Sequence, residues 1–291
     1  MKIGLFAINY GTCGDPASAV QVAEAAEAAG FESVWTGEHI VLPVPMLASF
    51  PLAPDTPMLD TVVALTWIAA HTKRLRIASG IIVLPQRNPV LLAKELATVD
   101  VISGGRLIIG VGAGWLEPEF KALGVPMERR GEKIDDALRA IRALWTMEQP
   151  EHHGPSASFS NVVAYPRPIQ RPMPPVVIGG ESPAAMRRAM GNGWYGFGLT
   201  LEETKQHIAS LKRAGEQHGR PAKLGELEIT VTPVGKFDRR SVEAYAAAGV
   251  HRLVVLPKPE ASHAQRHDPV PLDEILRNIE AVSKTVMGAV D

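Results

Sequence analysis

The fold is decided by residues 74–114, which read RLRIASGIIVLPQRNPVLLAKELATVDVISGGRLIIGVGAG. A short run rich in β-branched residues is followed by Asn-Pro and by a longer stretch whose apolar residues recur at helical spacing, and a second apolar run closes the segment. This order predicts a strand, a helix and another strand. Such a unit is typical of α/β proteins with a parallel sheet.

The same alternation continues along the chain. The eight predicted strands lie at 2–9, 32–37, 74–84, 106–114, 174–180, 194–199, 227–235 and 251–257. Each is followed by a helical pattern, and the eight units use the whole sequence. We therefore expect an α/β fold, the (β/α)8 TIM barrel, in a single domain spanning 1–291. A doubly wound open sheet with a second domain is the alternative that the pattern leaves open.

Two helix starts are marked by the same pair of residue types. Asp15-Pro16 and Ser182-Pro183 each place an N-cap residue before a proline at the first helical position. Residues 127–147 have apolar positions at helical spacing and predict a further helix. The basic residues that we assign to its solvated face are Arg129, Arg130 and Lys133. Residues 148–172 carry several prolines and predict an irregular surface segment.

Composition narrows the class of protein. The chain has 291 residues, 46% of them hydrophobic, and a formal net charge of -1, so it carries no electrostatic bias toward nucleic acid or anionic membranes. No window approaches the roughly 18 apolar residues of a spanning helix. The single cysteine, Cys13, excludes an intramolecular disulfide and is interpreted as a buried thiol. Because the N-terminus lacks a signal-peptide pattern, we expect a cytoplasmic protein.

Candidate site residues lie where the apolar runs end, because a barrel of this kind builds its active site at the carboxyl ends of the strands. Glu38 and His39 follow the second predicted strand and place an acid beside a base. The third and fourth strands end in Ser79, Gly80, Ile81 and in Gly112, Ala113, Gly114, Trp115. The glycines either let the backbone approach a flat or anionic ligand or pack closely at a barrel turn, and both interpretations stay open.

A phosphate-binding site is predicted after the fifth strand. Gly179, Gly180, Glu181 and Ser182 lead directly into a helix, whose first amides attract anions, although an ordinary N-cap explains Ser182 equally well. No metal site is expected, because the histidines have no acid or cysteine cluster at metal-ligand spacing. The histidines that we interpret as solvated loop residues are His152, His153, His263 and His267.

Several of these motifs together resemble a known family. VWTGEHI (34–40), the segments 78–115 and 119–145, and PVVIGGES (175–182) look like the bacterial luciferase-like superfamily of flavin and deazaflavin oxidoreductases. The likeness is dense over the first two thirds of the chain. Within the superfamily, the long form of 84–115 most resembles the branch that uses coenzyme F420, and FMN is the alternative cofactor.

The resemblance implies roles for the candidate residues. His39 would lie near the reactive face of the ring as a proton donor or shuttle, and Glu38 would hold the His39 tautomer or contact the ring edge. Ser79, Gly80 and Ile81 would pass behind the ring, with a non-prolyl cis peptide bond placed at Gly80–Ile81. The other ring edge would be lined by Gly112, Ala113 and Gly114, and the cofactor phosphate would be bound by Gly179, Gly180, Glu181 and Ser182.

One departure from the family pattern bears on the substrate. Family members that oxidise sugar phosphates have a catalytic glutamate where this chain has Trp115, so we expect no carboxylate there and no such activity. Trp35, Trp115 and Phe50 are expected to line an aromatic pocket that suits an apolar or conjugated small molecule. The implied function is an F420-dependent reductase or dehydrogenase, with an FMN-dependent monooxygenase using reduced flavin and O2 as the alternative.

The resemblance also implies a homodimer, for which the exposed apolar residues of the helix after the third strand are a candidate contact. A non-catalytic flavin-binding protein is a third interpretation, which we rank low because the loop 43–57 is present.

Overall fold

The chain folds into a barrel of parallel strands surrounded by helices. A computed structural model describes residues 1–47, 52–262 and 268–286. In chain order the strands are β1 (Lys2–Leu5), β2 (Ser33–Thr36), β3 (Arg76–Ser79), β4 (Ile82–Val83), β5 (Leu107–Gly112), β6 (His152–His153), β7 (Ser158–Phe159), β8 (Val176–Gly179), β9 (Gly193–Leu199), β10 (Ile229–Pro233) and β11 (Arg252–Val255). The α-helices are α1 (Pro16–Ala28), α2 (Thr61–His71), α3 (Pro89–Ile102), α4 (Glu117–Ala122), α5 (Arg130–Thr146), α6 (Pro183–Ala189), α7 (Leu201–His218), α8 (Arg239–Ala247) and α9 (Leu272–Val286).

Strand pairing decides between a closed barrel and an open sheet. The parallel strands follow one another in the order β3, β2, β1, β11, β10, β9, β8, β5, and the pairing of β3 with β5 closes the ring. In that pairing Ile77 lies opposite Leu107 and Ala78 opposite Ile108. An open doubly wound sheet would leave two unpaired edges. The prediction of a (β/α)8 barrel is therefore confirmed.

The helix starts follow the predicted chemistry. The Asp15 carboxylate accepts a hydrogen bond from the Ser18 amide at 2.8 Å, and Ser182 Oγ accepts one from the Ala185 amide at 3.2 Å. In both cases a proline occupies the first helical position. Asn88 starts α3 in the same way. These caps fix where each helix turns back over the barrel.

The third predicted strand, 74–84, is interrupted. β3 ends at Ser79, the Gly80–Ile81 peptide bond is cis, and the chain resumes as β4, which pairs with β5 at Val111 and Gly112, nearer its carboxyl end. The predicted position of the non-prolyl cis bond is confirmed. A further difference is α4, a short helix after β5 that the sequence pattern did not predict.

The irregular segment 148–172 contains an antiparallel hairpin of β6 and β7. The hairpin packs His152 against α5, where its Nε2 lies 2.9 Å from Oδ1 of the buried Asp136. The interpretation of His152 as a solvated histidine was therefore wrong, whereas His153 is exposed. His263 and His267 lie outside the described residues. Among the described residues, no group of three or more potential ligands can hold a metal ion.

Cys13 is a buried thiol, as predicted. It is 2% exposed, and burial together with the nearby charge of Asp15 raises the pKa of the thiol to about 12. Of the helices that the structure describes, none has the length and apolar character needed to cross a membrane.

The amino-terminal end of the barrel is closed by Arg252, whose side chain is fully buried. Its Nε and Nη2 donate to both carboxylate oxygens of Glu32 at 2.9 and 3.0 Å, and its Nη1 donates to Glu228. The guanidinium also lies 5.7 Å from the ring centre of Trp35. Burial alone would raise the pKa of both carboxyls, but Arg252 holds each pKa below its ordinary value.

We expect Arg252→Met to lower the free energy of unfolding by about 2 kcal/mol at neutral pH, because it removes the cation bound to both Glu32 oxygens and leaves Glu228 with Lys2 alone. Both folded pKa values are depressed, so this stabilisation is complete above the ordinary carboxyl pKa of 4.5. It is lost as the pH falls through the folded values. Urea unfolding at pH 7 and at progressively lower pH measures both effects.

The matched control is Arg277→Met, which removes an exposed ion pair with Asp273 on α9. That change should lower the free energy of unfolding by less than about 1 kcal/mol. A difference between wild type and Arg252→Met that stays constant down to pH 3 would contradict the assigned role of the two carboxylates.

Candidate functional site

A cavity of about 750 Å³ opens at the carboxyl ends of the barrel strands. This volume is in the range of ligand sites for small molecules and cofactors. The structure brings most of the sequence-predicted site residues together around it, namely Glu38, His39, Gly80, Ile81, Gly112, Ala113, Gly114, Trp115, Gly179, Gly180, Glu181 and Ser182. Ser79 is not among the lining residues, because its hydroxyl faces β5 and both donates to and accepts from the Gly110 backbone at 2.9 Å. The functional roles of all these residues stay predictions.

The glycines at the ends of β5 and β8 make room for Ile81. After the cis bond, the Ile81 side chain projects between the two strands. A Cβ atom at Gly112 would lie 2.5 Å from Ile81 Cδ1, and one at Gly179 would lie 3.0 Å from Ile81 Cγ2. Of the two interpretations that the sequence left open for Gly112, close packing therefore explains this glycine, and Gly179 packs against the same side chain. Ile81 itself forms part of the cavity wall.

The loop that carries His39 is fixed by Asn9 at the end of the first predicted strand. Asn9 is fully buried, its Oδ1 accepts from the Gly37 amide at 2.8 Å, and its Nδ2 donates to the Gly37 carbonyl at 2.9 Å. The same amide group donates to the Leu59 carbonyl at 2.8 Å. A single side chain thus ties the loop after β2 to the start of α2. Sequence reasoning passed over Asn9, although a polar residue at the end of a barrel strand was the signal.

Glu38 binds away from His39. Its carboxylate accepts hydrogen bonds from the Val83 amide and from Nη2 of Arg87, and that guanidinium also lies 2.8 Å from Oδ2 of Asp60. Burial raises the pKa of the Glu38 carboxyl, and the Arg87 charge opposes the shift. Of the two roles implied for Glu38, holding the His39 tautomer does not fit, because β4 and Arg87 bind its carboxylate. Contact with the ring edge stays a prediction, since Glu38 lines the cavity.

The acidic partner of His39 is Glu119 on α4. Nδ1 of His39 lies 3.5 Å from Oε2 of Glu119, whose side chain is 1% exposed. The carboxylate also accepts from the Ile40 amide and, at 3.1 Å, from Nε2 of Gln86. Burial alone would raise the pKa of Glu119, but His39, Gln86 and the Ile40 amide together hold it below the ordinary value.

Glu119 is a carboxylate that the sequence analysis did not place in the site. Position 115 is a tryptophan, and α4 brings an acid to the cavity four residues later. The signal was present in the sequence, because Leu116, Glu119 and Phe120 are spaced to share one helix face. Leu116 and Phe120 are both buried, so the carboxylate between them points inward as well.

The opposite end of the cavity is lined by two arginines. Nε of Arg130 donates to the Gly114 carbonyl at 3.2 Å. Arg188 on α6 donates to the Gly131 carbonyl at 2.7 Å and pairs with Asp135 at 2.8 Å. The assignment of Arg130 to a solvated helix face was therefore wrong, because the chain before α5 turns its side chain toward the cavity. Arg129 and Lys133 are largely solvated, as expected.

The floor of the cavity is aromatic. Phe6 packs on Phe197 with ring centres 4.8 Å apart and meets the edge of Tyr10 at 6.0 Å. Trp115 is 49% exposed at the mouth, with its ring centre 6.5 Å from that of His39. Trp35 was expected in this pocket, but it is fully buried within the barrel beneath it and packs on Tyr195 at 4.9 Å. Phe50, the third residue of that prediction, lies outside the described residues.

Comparison with known proteins places the chain in a family. The sequence model of the family described as luciferase-like monooxygenase matches residues 1–288. The chain belongs to that family. This luciferase-like chain is 30% identical over 280 residues to an uncharacterised protein of Mycobacterium tuberculosis, a match covering 93% of this chain and 95% of the relative. The FMNH2-dependent dimethylsulfone monooxygenase of Pseudomonas putida is 29% identical over 199 residues, which cover 67% of this chain and 53% of the relative.

A solved structure shows the same fold over the whole luciferase-like chain. An F420-dependent secondary alcohol dehydrogenase, in complex with an F420–acetone adduct, superimposes with a TM-score of 0.77 at 16% identity and covers 100% of this chain and 99% of its own. Members of the family are oxidoreductases or monooxygenases, and these two named enzymes use F420 or FMN.

We expect Asn9→Ala to lower the free energy of unfolding of the luciferase-like barrel by about 2 kcal/mol or more. The substitution leaves backbone groups of Gly37 and Leu59 without their hydrogen-bond partner. Urea unfolding measures the change. The control is Asn278→Ala, which removes one partly buried hydrogen bond to the Pro257 carbonyl and should cost about 1 kcal/mol. Equal losses for the two variants would contradict the role given to Asn9.

Proposed function

We propose that the protein is an F420-dependent oxidoreductase that transfers a hydride between C5 of the deazaflavin and an apolar or conjugated small molecule. The observation that carries the proposal is the polarity of the cavity. His39 and the buried Glu119 form a proton-transfer pair at one end, and Arg130 and Arg188 line the other. The F420-dependent dehydrogenase of the same fold supports the choice of cofactor.

The residues present fit a planar, anionic cofactor. Ile81 and the Gly112–Gly114 segment offer a narrow apolar wall on which a ring system can lie. Arg130 and Arg188 line the cavity and supply positive charge for a phosphate or carboxylate tail, although Asp135 balances part of the Arg188 charge. The volume of about 750 Å³ exceeds that of a ring alone and leaves space for a substrate.

When bound, F420 supplies or accepts the hydride. The chain's own residues would transfer the proton and bind the cofactor and the substrate. His39 would exchange a proton with the substrate atom that gains or loses charge, while Glu119 stabilises the protonated ring. The Phe6, Tyr10 and Phe197 rings would exclude water from the reacting atoms. Trp115 at the mouth would cover the substrate, and its apolar ring favours a conjugated or aromatic compound.

The second candidate is an FMN-dependent monooxygenase that uses a separately reduced flavin and O2. The relative that acts on dimethylsulfone with FMNH2 favours it. The same cavity residues would then bind a flavin with a single phosphate. The two candidates differ in the cofactor that the purified protein binds, which a titration separates.

We expect the purified protein to bind F420 at micromolar concentration and to show no response to FMN, as followed by cofactor absorbance and tryptophan fluorescence. Trp115 lines the cavity, so a Trp115→Phe variant should lose most of the quenching while keeping the absorbance change. His39→Ala should still bind F420 but lose about 100-fold or more in turnover of an enone or imine. FMN binding without F420 binding would overturn the proposal.

We also propose that two copies associate through α3. Leu91 and Ile102 are 59% and 48% exposed, and eleven residues, about three turns, place them on the same side of the helix. Wild-type protein should have twice the 31.3 kDa chain mass by light scattering, and Leu91→Glu should give a folded monomer. A monomeric wild-type protein would contradict this association.

A further inference from the structure

Glu119 links three separate elements at the reactive end of the cavity. One oxygen, Oε1, accepts from the Ile40 amide in the loop after β2, and the other, Oε2, accepts from the Gln86 amide group after β4. Oε2 also lies 3.5 Å from Nδ1 of His39. This separation is longer than a hydrogen bond, and such catalytic contacts often tighten only when the site is filled.

The bonding of Glu119 determines its charge state. Burial alone would raise the pKa of the carboxyl, but contacts with the Ile40 amide, the Gln86 amide group and the His39 ring hold it below the ordinary value. The carboxylate is therefore ionised at neutral pH and only accepts hydrogen bonds. An acceptor beside Nδ1 stabilises the neutral imidazole that carries its proton on Nδ1, because the other tautomer would set a lone pair against a negative charge.

We propose that Glu119 is a positioning residue that fixes His39 in the Nδ1–H tautomer, so that Nε2 is the nitrogen that exchanges the proton with the substrate. The inference rests on the proposed function for its catalytic meaning. It assigns to Glu119 the orienting role that the family resemblance implied for Glu38. A carboxylate that orients a histidine in this way also stabilises the ring when both nitrogens are protonated.

A consequence concerns the direction of proton transfer. With its proton on Nδ1, the neutral ring carries a lone pair on Nε2 and takes a proton from an alcohol or amine that is being oxidised. When both nitrogens are protonated, Nε2 donates the proton to the oxygen or nitrogen of a carbonyl or imine that is being reduced. In both directions Nδ1 keeps its proton and the contact with Glu119 is retained. His39 thus serves oxidation and reduction without ring rotation.

Nitrogen NMR of the ligand-free protein labelled with ¹⁵N-histidine tests the tautomer directly. The His39 signals are assigned by their absence in His39→Gln. At a pH where the ring is neutral, we expect the proton on Nδ1. In Glu119→Gln, the amide oxygen is expected to stay with the Ile40 N–H, so the NH2 group takes the place of Oε2 and donates to Nδ1. The His39 proton should then move to Nε2.

Two control variants separate the effect of the Glu119 charge from the effect of its shape. Glu117→Gln changes an exposed carboxylate of the same helix and should leave the His39 signals unchanged. Glu119→Asp keeps the charge and should retain the Nδ1–H tautomer. In turnover with F420, Glu119→Gln should lower kcat by about 10- to 100-fold while KM changes little.

A wild-type His39 with its proton on Nε2, or a Glu119→Gln variant with unchanged His39 signals, would overturn the inference whatever the cofactor. The expected NMR result in a protein that does not turn over with F420 would leave the role of Glu119 supported and count against the proposed function alone.

Discussion

The Ile81 side chain sits between β5 and β8, and the surrounding chain is built to accommodate it. Gly112 and Gly179 leave space that a methyl group would fill. A Cβ atom at Gly110 would overlap the Ser79 carbonyl oxygen, so β5 also approaches β3 at a distance that requires glycine. The detour after Ser79 brings the Val83 amide to Glu38. The position of the cavity wall and the contact between Val83 and Glu38 therefore depend on this one packing arrangement.

Charge is distributed unevenly between the two ends of the cavity. Glu38 and Glu119 are buried near His39, and Arg87 is shared between Glu38 and Asp60. At the other end Arg130 and Arg188 lie beside the start of α6. Asp135 pairs with Arg188 at the arginine end, and Arg87 pairs with Glu38 at the acidic end, so each charge is partly balanced. Under the proposed function, the remaining positive charge would favour the anionic part of the cofactor at the arginine end.

The sequence predicts those parts of the fold that local rules control. Asp15-Pro16 and Ser182-Pro183 start helices because capping involves residues three positions apart, and the eight apolar runs form the barrel because their alternation with helices covers the chain. Most predicted site residues surround the cavity for the same reason, since the carboxyl ends of parallel strands meet on one face. The cis bond was placed through the family resemblance, as no local rule at Gly80 requires it.

The errors concern contacts between residues distant in sequence. Adjacency suggested that Glu38 would orient His39, but Arg87 binds Glu38, and Glu119 approaches His39 from 80 positions away. Trp35 lies beneath the pocket because the alternation of strand residues turns it into the barrel centre. Each error arises because tertiary packing, and not adjacency in the sequence, determines which residues come into contact.

Cys13 gives the protein a property useful for labelling experiments. The thiolate is the reactive form of cysteine, and a buried thiol with a pKa of about 12 is almost entirely protonated at neutral pH. Because Cys13 is the single cysteine of the chain, the folded protein has no reactive thiol of its own. A cysteine introduced at a surface position would accept a spectroscopic label selectively. Alkylation of Cys13 itself would proceed only when the start of α1 opens, and its rate would measure that opening.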